Sequence, residues 1–118
     1  MTSLEALAAA FSDHRFPDTY DHLSPDVRWV SVGSGATVGR EAVISACEAA
    51  GAELAALQLE RQRFLTIAGP NGVAVDTVTK YVDPSGEESV VASCDIYEFD
   101  RDLITVITSY AVEVGETG

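Results

Sequence analysis

Basic residues are scarce in this sequence of 118 residues, which has seven lysines and arginines against 19 aspartates and glutamates. The formal net charge is therefore -12 at pH 7. A surface with this excess of negative charge repels the phosphates of nucleic acids and anionic lipids. We therefore expect neither a nucleic-acid partner nor a membrane partner.

Cysteine is also rare, and its two occurrences, Cys47 and Cys94, form no C-x-x-C motif and no Cys/His ligand spacing. Isolated cysteines of this kind are typical of reduced, packed thiols in a cytosolic protein. No cluster of histidines and carboxylates has the spacing of a metal site. Gly-x-Gly-x-x-Gly and Walker loops are missing as well. We expect no metal and no cofactor.

Long apolar runs are absent too. None approaches the roughly 18 residues that cross a bilayer, and the first residues lack the basic segment of a secretory signal. We therefore expect a cytoplasmic protein. The length of 118 residues and the apolar content of 47% suffice for one hydrophobic core. We expect residues 1–118 to form a single domain.

The sequence begins with helical signals. Thr2 and Glu5 fit a capping box, and an apolar stripe then predicts a first helix that ends at about His14. The stripe consists of Leu4, Leu7, Ala8 and Phe11. Pro17 suits the first turn of a short second helix, which the Ser24-Pro25-Asp26 turn closes.

Residues 27–32 are predicted to form a strand, which the Gly33-Ser34-Gly35 segment breaks. A third helix is predicted over residues 40–57 because its apolar residues recur on one helical stripe. That stripe consists of Val43, Ile44, Cys47, Ala50 and Leu54.

From residue 57 onward, β-branched and aromatic residues predict four strands, at 57–68, 73–82, 89–99 and 103–113. Short segments with strong turn chemistry separate them, so successive strands must be antiparallel. Helices followed by such a meander predict an α+β domain whose helices lie across a concave sheet. The cup between the two layers is a natural pocket for a small hydrophobic molecule.

In the last strand, simple alternation places Ile104, Val106 and Tyr110 on one face and Ile107 and Ala111 on the other. Both faces of the sheet are therefore expected to need cover. The helices can cover one face. A second subunit could cover the other, and we expect a homodimer.

This order of elements resembles the NTF2-like superfamily, which includes the SnoaL-like and ketosteroid-isomerase-like proteins. The most specific stretches are Val38-Gly39-Arg40-Glu41-Ala42-Val43 at the start of the third helix and the hairpin from Cys94 to Tyr110. The resemblance implies a cone-shaped α+β fold, with three N-terminal helices packed on a curved antiparallel sheet. Isomerases, cyclases, hydrolases and non-catalytic binding proteins share this fold.

Among these proteins, the resemblance to ketosteroid isomerase implies that Asp95 is an acid that donates a hydrogen bond to a developing enolate. Its tyrosine on the first helix falls on Phe11, and its basic aspartate falls near Val30 or Ser31. Phenylalanine has no proton to donate and valine cannot accept one. A hydrolase of the limonene-epoxide type implies an Asp-Arg-Asp set. Ser109 occupies its acid position on the last strand, and Asp76 could be its acid on the third strand, but we expect no arginine to accompany Asp76.

The residues themselves leave alternatives open. Asp95 is either a pocket acid or a solvated carboxylate, and strand alternation places it on the same face as Tyr97. His14 is either a general base at the mouth of the pocket or a histidine at a helix end. The expected ligand-binding residues, which would equally suit a plain core, are Phe11, Tyr20, Trp29, Tyr97 and Ser109.

Two functions therefore remain. The leading hypothesis is an isomerase or cyclase, or less directly a hydrolase, that acts on a hydrophobic carbonyl compound with Asp95 as acid and His14 as a proton acceptor. The alternative is a non-catalytic ligand-binding or assembly module that uses the same cup without proton transfer.

Overall fold

A computed structural model describes residues 3–114 of the chain. The first elements are α1 (Leu4–Ser12), a 3₁₀ helix (Phe16–His22), β1 (Leu23–Ser31), β2 (Gly35–Val38) and α2 (Arg40–Leu54). Four long strands follow, β3 (Gln58–Ala68), β4 (Gly72–Val82), β5 (Glu88–Asp100) and β6 (Leu103–Val114). No helix in the described part of the chain has the length and apolar character needed to span a bilayer.

The first helix begins one residue later than the capping box predicts. Ser3 is the N-cap, and its side-chain oxygen accepts a hydrogen bond from the Ala6 backbone N–H at 3.0 Å. This contact satisfies one of the backbone donors left free at a helix start. The predicted cap, Thr2, lies outside the described residues.

All six strands form one sheet in the order β2-β1-β6-β5-β4-β3. The pairs β3–β4, β4–β5 and β5–β6 are antiparallel, as the tight turns predict. Strands β1 and β2 are also antiparallel, but β1 and β6 are parallel. The sheet is therefore mixed, and the prediction of a wholly antiparallel sheet is wrong on this point. The predicted third helix also follows the β1–β2 hairpin, so the three helices do not all precede the sheet.

The predicted turn at Ser24-Pro25-Asp26 is wrong, because these residues belong to β1. Leu23 pairs with Ile104 of β6, and pairing then resumes at Arg28 with a shifted register. Residues 24–27 lie in this break in the pairing of β1 with β6, where proline and unpaired backbone are tolerated. Strand β2 was not predicted, since it has four residues and no buried side chain.

Two bulges bend the long strands. Gln62 is an extra residue in β3 relative to β4, and Thr105 is an extra residue in β6 relative to β5. An extra residue reverses the alternation of side chains beyond it and curves the strand. Ile104 and Ile107 are consequently both buried, whereas unbroken alternation had placed them on opposite faces.

The core lies between the concave face of the sheet and the helices. Helix α1 packs against β3, β4 and β5, and α2 packs against β1 and β2. The buried apolar cluster consists of Ala8, Phe11, Phe16, Leu23, Val27, Val43, Cys47, Val73, Val75, Tyr97, Ile104 and Ile107. Burial of one large apolar side chain stabilises the fold by about 1.5–3 kcal/mol, so this cluster fixes the helices on the sheet. Their spacing leaves a cup at the C-terminal end of α1.

Candidate functional site

The cup encloses a cavity of about 230 Å³. Side chains from α1, the 3₁₀ helix and α2 form one side, and the concave faces of the strands form the other. Its lining residues are Phe11, Ser12, His14, Phe16, Trp29, Ala50, Leu54, Arg61, Thr77, Tyr81, Val91, Ser93, Asp95, Ser109, Tyr110 and Ala111. The cavity thus combines an apolar wall with a few polar groups, which is the usual composition of a small-molecule site.

Three aromatic rings form the apolar wall. Phe11 packs edge-on against both Trp29 and Phe16, with ring centroids 5.0 Å apart in each pair. Such edge-to-face packing is the preferred geometry of aromatic pairs and holds the rings in place. The Trp29 indole N–H donates a hydrogen bond to Ser109 Oγ at 3.0 Å, which fixes the orientation of the indole.

Asp95 lies on the polar side, and α1 holds its carboxyl group. Ser12 Oγ donates a hydrogen bond to Asp95 Oδ2 at 2.8 Å. The same Ser12 oxygen lies 2.6 Å from the hydroxyl oxygen of Tyr97, which is fully buried behind the cup. Burial first, and then the charge of Asp95, raise the pKa of Tyr97 well above 10, so the phenol remains protonated.

Arg61 brings a positive charge to the same end of the cavity. Its guanidinium group donates to Thr79 Oγ1 and to the backbone carbonyl oxygen of Ser12, the latter at 2.9 Å. A longer contact of 3.4 Å reaches Asp13 Oδ1. The bulge at Gln62 places Arg61 on the concave face, because it is paired with Thr79, which points inward.

His14 follows α1 and points its ring toward the cavity. Its Nδ1 atom is buried and has no hydrogen-bond partner among the described residues. Burial, together with the charge of Arg61, lowers the pKa of His14 below 6.5, although Asp13 and Asp95 oppose this shift. The imidazole is therefore neutral at neutral pH and offers a lone pair or an N–H to a ligand.

The chain is similar to proteins of a known family. A family model of the SnoaL-like domain matches residues 4–107. The chain belongs to the SnoaL-like domain family. No curated protein matches it significantly.

Solved structures confirm that this SnoaL-like domain has the NTF2-like fold. An NTF2-like protein of unknown function from Cytophaga hutchinsonii is 29% identical, with a TM-score of 0.80 over 93% of this chain and 100% of its own. A candidate polyketide cyclase from Xanthomonas campestris pv. campestris is 19% identical, with a TM-score of 0.68 over 89% and 84% of the two chains. A candidate isomerase from Rhodopseudomonas palustris is 14% identical, with a TM-score of 0.63 over 90% and 83%.

The cup of the SnoaL-like domain brings together most of the residues that the sequence singled out. The side chains that line it are Asp95, His14, Phe11, Trp29 and Ser109. Tyr97 does not line the cup, because its ring is in the core and only its hydroxyl reaches the polar side. Tyr20 lies outside the cup, and its hydroxyl donates a hydrogen bond to Glu48 of α2.

Asp76 lies on the outer face of the sheet, away from the cup. The expectation that no arginine accompanies it is wrong, because Arg63 Nε donates to Asp76 Oδ2 at 2.8 Å. Both side chains are about half exposed, at 53% for Arg63 and 42% for Asp76. Their pairing is therefore a solvated ion pair and not part of the concave site.

Sequence reasoning missed Ser12 and Arg61. Ser12 follows Phe11 and lies four residues after Ala8, so the apolar stripe itself directs it toward the sheet. Arg61 carried no such signal, because its inward orientation depends on the bulge at Gln62, which local sequence does not reveal.

Proposed function

We propose that this SnoaL-like domain binds a small hydrophobic carbonyl compound in its cup and transfers a proton on it, in an isomerase or cyclase reaction. Asp95 acts as the acid and His14 as the proton acceptor. Both reaction types pass through an enol or enolate, which needs a base at the α-carbon and a donor at the oxygen. The observation that carries the proposal is that one cavity with an apolar wall holds a tethered carboxyl group and a buried imidazole nitrogen that has no hydrogen-bond partner among the described residues.

The state of His14 supports its role as proton acceptor. A general base must be unprotonated before the reaction, and burial lowers the pKa of His14 so that the imidazole is neutral. A buried nitrogen without a partner costs about 1–3 kcal/mol. A ligand with a suitably placed hydrogen would remove this cost on binding.

The size of the cavity limits the substrate. A cavity of about 150 Å³ holds benzene, so the 230 Å³ of this cup suit one ring with a short substituent. Four fused rings of a steroid would extend well beyond it. A single-ring carbonyl compound fits this volume. Its ring would lie against Phe11 and Trp29 on the apolar wall, and its oxygen would point toward Asp95 on the polar side.

The names of two structural relatives agree with this reaction class, since one is a candidate polyketide cyclase and the other a candidate isomerase. The alternative is a module that binds such a compound without chemistry. Phe11 favours that alternative, because it supplies no hydroxyl at the position where ketosteroid isomerase has its tyrosine. A test must therefore separate binding from proton transfer.

Acetophenone is a suitable probe, with one ring and an exchangeable methyl group beside a carbonyl. Proton NMR in deuterium oxide would follow both its binding and the loss of its methyl signal. We expect the wild type to accelerate exchange, and Asp95→Asn and His14→Gln each to reduce the rate by about 100-fold or more. Asp76→Asn is the matched control, because that carboxylate lies on the outer face, and it should exchange at the wild-type rate.

The outcomes are distinct. Binding without exchange would refute the enzyme and support the binding module. Exchange that survives both Asp95→Asn and His14→Gln would refute the assigned roles. Neither binding nor exchange of acetophenone would refute the proposed substrate class.

We also propose that the protein is a homodimer through the outer face of the sheet. Large apolar side chains are exposed there, among them Ile67 at 60%, Ile96 at 39% and Val112 at 62%. Exposed apolar side chains on one face of a sheet favour an interaction site there. Light scattering should give twice the chain mass, and Ile96→Asp should give a monomer. A wild-type monomer would refute the proposal.

A further inference from the structure

Ser12 contacts both charged groups of the cup through its two oxygen atoms. Its hydroxyl donates to Asp95 Oδ2 at 2.8 Å, and its backbone carbonyl oxygen accepts from Arg61 Nη2 at 2.9 Å. The residue ends α1 and is only 5% exposed. The last turn of α1 therefore sets the positions of a carboxyl group on β5 and a guanidinium group on β3.

The contact with Tyr97 gives this arrangement a direction. The two hydroxyl oxygens are 2.6 Å apart, and either could be the donor on distance alone. A serine hydroxyl has one proton, however, and the Ser12 proton is directed at Asp95. Tyr97 must then donate to Ser12, which gives a chain from Tyr97 through Ser12 to Asp95.

We propose that Ser12 and Tyr97 are positioning residues for the reaction, which hold Asp95 by Oδ2 so that Oδ1 is the oxygen that meets the ligand. This inference rests on the proposed function. A carboxyl group rotates over a broad range about its last torsion angle, so an untethered Asp95 would sample many orientations. Successive hydrogen bonds also strengthen one another, which favours a single orientation.

The environment of Tyr97 supports a permanent donor at the start of the chain. Tyr97 is 0% exposed, and this burial is the largest cause of a pKa raised well above 10. Its position beside Phe11, with ring centroids 5.9 Å apart, ties the phenol to the aromatic wall as well. The chain therefore links the sheet, α1 and the reacting carboxyl group.

Three variants test the inference with acetophenone exchange. Ser12→Ala breaks the chain beside Asp95 but keeps the backbone contact with Arg61, so we expect kcat to fall by about 10–100-fold while KM changes little. Ser12→Thr keeps a hydroxyl and should recover most of that loss. Tyr97→Phe keeps the ring and should show a smaller fall in kcat. Circular dichroism and urea denaturation would establish that each variant is folded.

A second readout needs no ligand. The Tyr97 hydroxyl proton is buried and hydrogen-bonded, so it should exchange slowly with water and give a separate proton NMR signal. That signal should vanish in Tyr97→Phe and shift in Ser12→Ala, whereas Tyr20→Phe, which alters a hydroxyl outside the cup, should leave it in place.

Failures of the two proposals look different. An active wild type whose kcat is unchanged in folded Ser12→Ala and Tyr97→Phe would overturn this inference alone. Loss of activity in Ser12→Ala that Ser12→Thr does not restore would also overturn it, because the hydroxyl would then not be the decisive group. A wild type without exchange would overturn the proposed function, and the positioning role with it.

Discussion

The C-terminal turn of α1 forces His14 into a backbone conformation that histidine seldom adopts. Arg15 N–H donates to the Ala10 carbonyl at 2.9 Å, and His14 N–H donates to that of Phe11 at 3.0 Å. This pair of bonds is a Schellman motif, in which the residue after the cap is left-handed and is usually glycine. His14 has that conformation, with φ of 63°. A side chain there costs about 1–2 kcal/mol.

A pair of substitutions isolates this cost. His14→Gly and His14→Ala both remove the imidazole and its packing, and they differ only in the Cβ atom. We expect the glycine variant to be about 1 kcal/mol more stable than the alanine variant. With a urea dependence of about 1–2 kcal/mol per molar, the two midpoints should differ by about 0.5–1 M. Fluorescence of Trp29, the one tryptophan in the chain, can follow unfolding.

Ala49→Gly provides the matched control. Ala49 is exposed within α2, where glycine is less stable than alanine by about 1 kcal/mol. The preference for glycine should thus reverse between the two positions. Equal stabilities of His14→Gly and His14→Ala, or a more stable alanine variant, would refute the left-handed conformation. Both His14 variants should also lose proton exchange, which would show that the strained residue serves the site.

Two further predictions concern stability. Gly72→Ala should destabilise the fold by about 1–3 kcal/mol in urea denaturation, because its Cβ would lie 2.6 Å from the Tyr97 carbonyl oxygen. Gly51→Ala lies in α2, where the new Cβ would meet no atom within 4 Å apart from its chain neighbours and its own helix backbone, and it should stabilise the fold by about 0.5–1 kcal/mol. The same sign for both variants would contradict the packing. In the pH dependence, the folded-state pKa of His14 lies below its unfolded value of 6.5, so the unfolded chain binds the proton more tightly. The contribution of neutral His14 to the free energy of unfolding is present above pH 6.5 and is lost as pH falls toward the folded-state pKa. His14→Gln should therefore lose less stability than the wild type between pH 7 and 5. Parallel plots of unfolding free energy against pH for the two proteins would contradict the burial of His14.

The elements with strong local signals were predictable. The four long strands lie within one or two residues of their predicted limits, because the turns at 69–72 and 83–86 have distinctive chemistry. The parallel pairing of β1 with β6 was not predictable, since the partners are far apart in sequence and no local pattern specifies them. The bulge at Thr105 was not predictable from local sequence either, and this single extra residue changed the face of every residue beyond it.

The apolar half of the site was easier to predict than the polar half. Phe11 and Trp29 belong to periodic patterns that direct them inward. Tyr20 obeys a similar pattern but points its hydroxyl at Glu48, because the 3₁₀ helix turns more tightly than the predicted helix. Composition cannot distinguish an aromatic residue in the cup from one beside it.

Ser12 supplies a hydroxyl next to the position at which the resemblance to ketosteroid isomerase expects a tyrosine. The resemblance to ketosteroid isomerase expects a tyrosine at Phe11, and Phe11 packs in the aromatic wall instead. The next residue along α1 carries a hydroxyl that points at Asp95. Ser12 is engaged by Asp95 and Tyr97, so within the proposed site its hydroxyl supports the acid and does not donate to the ligand. The orientation of Asp95 in the proposed site would therefore depend on this hydroxyl.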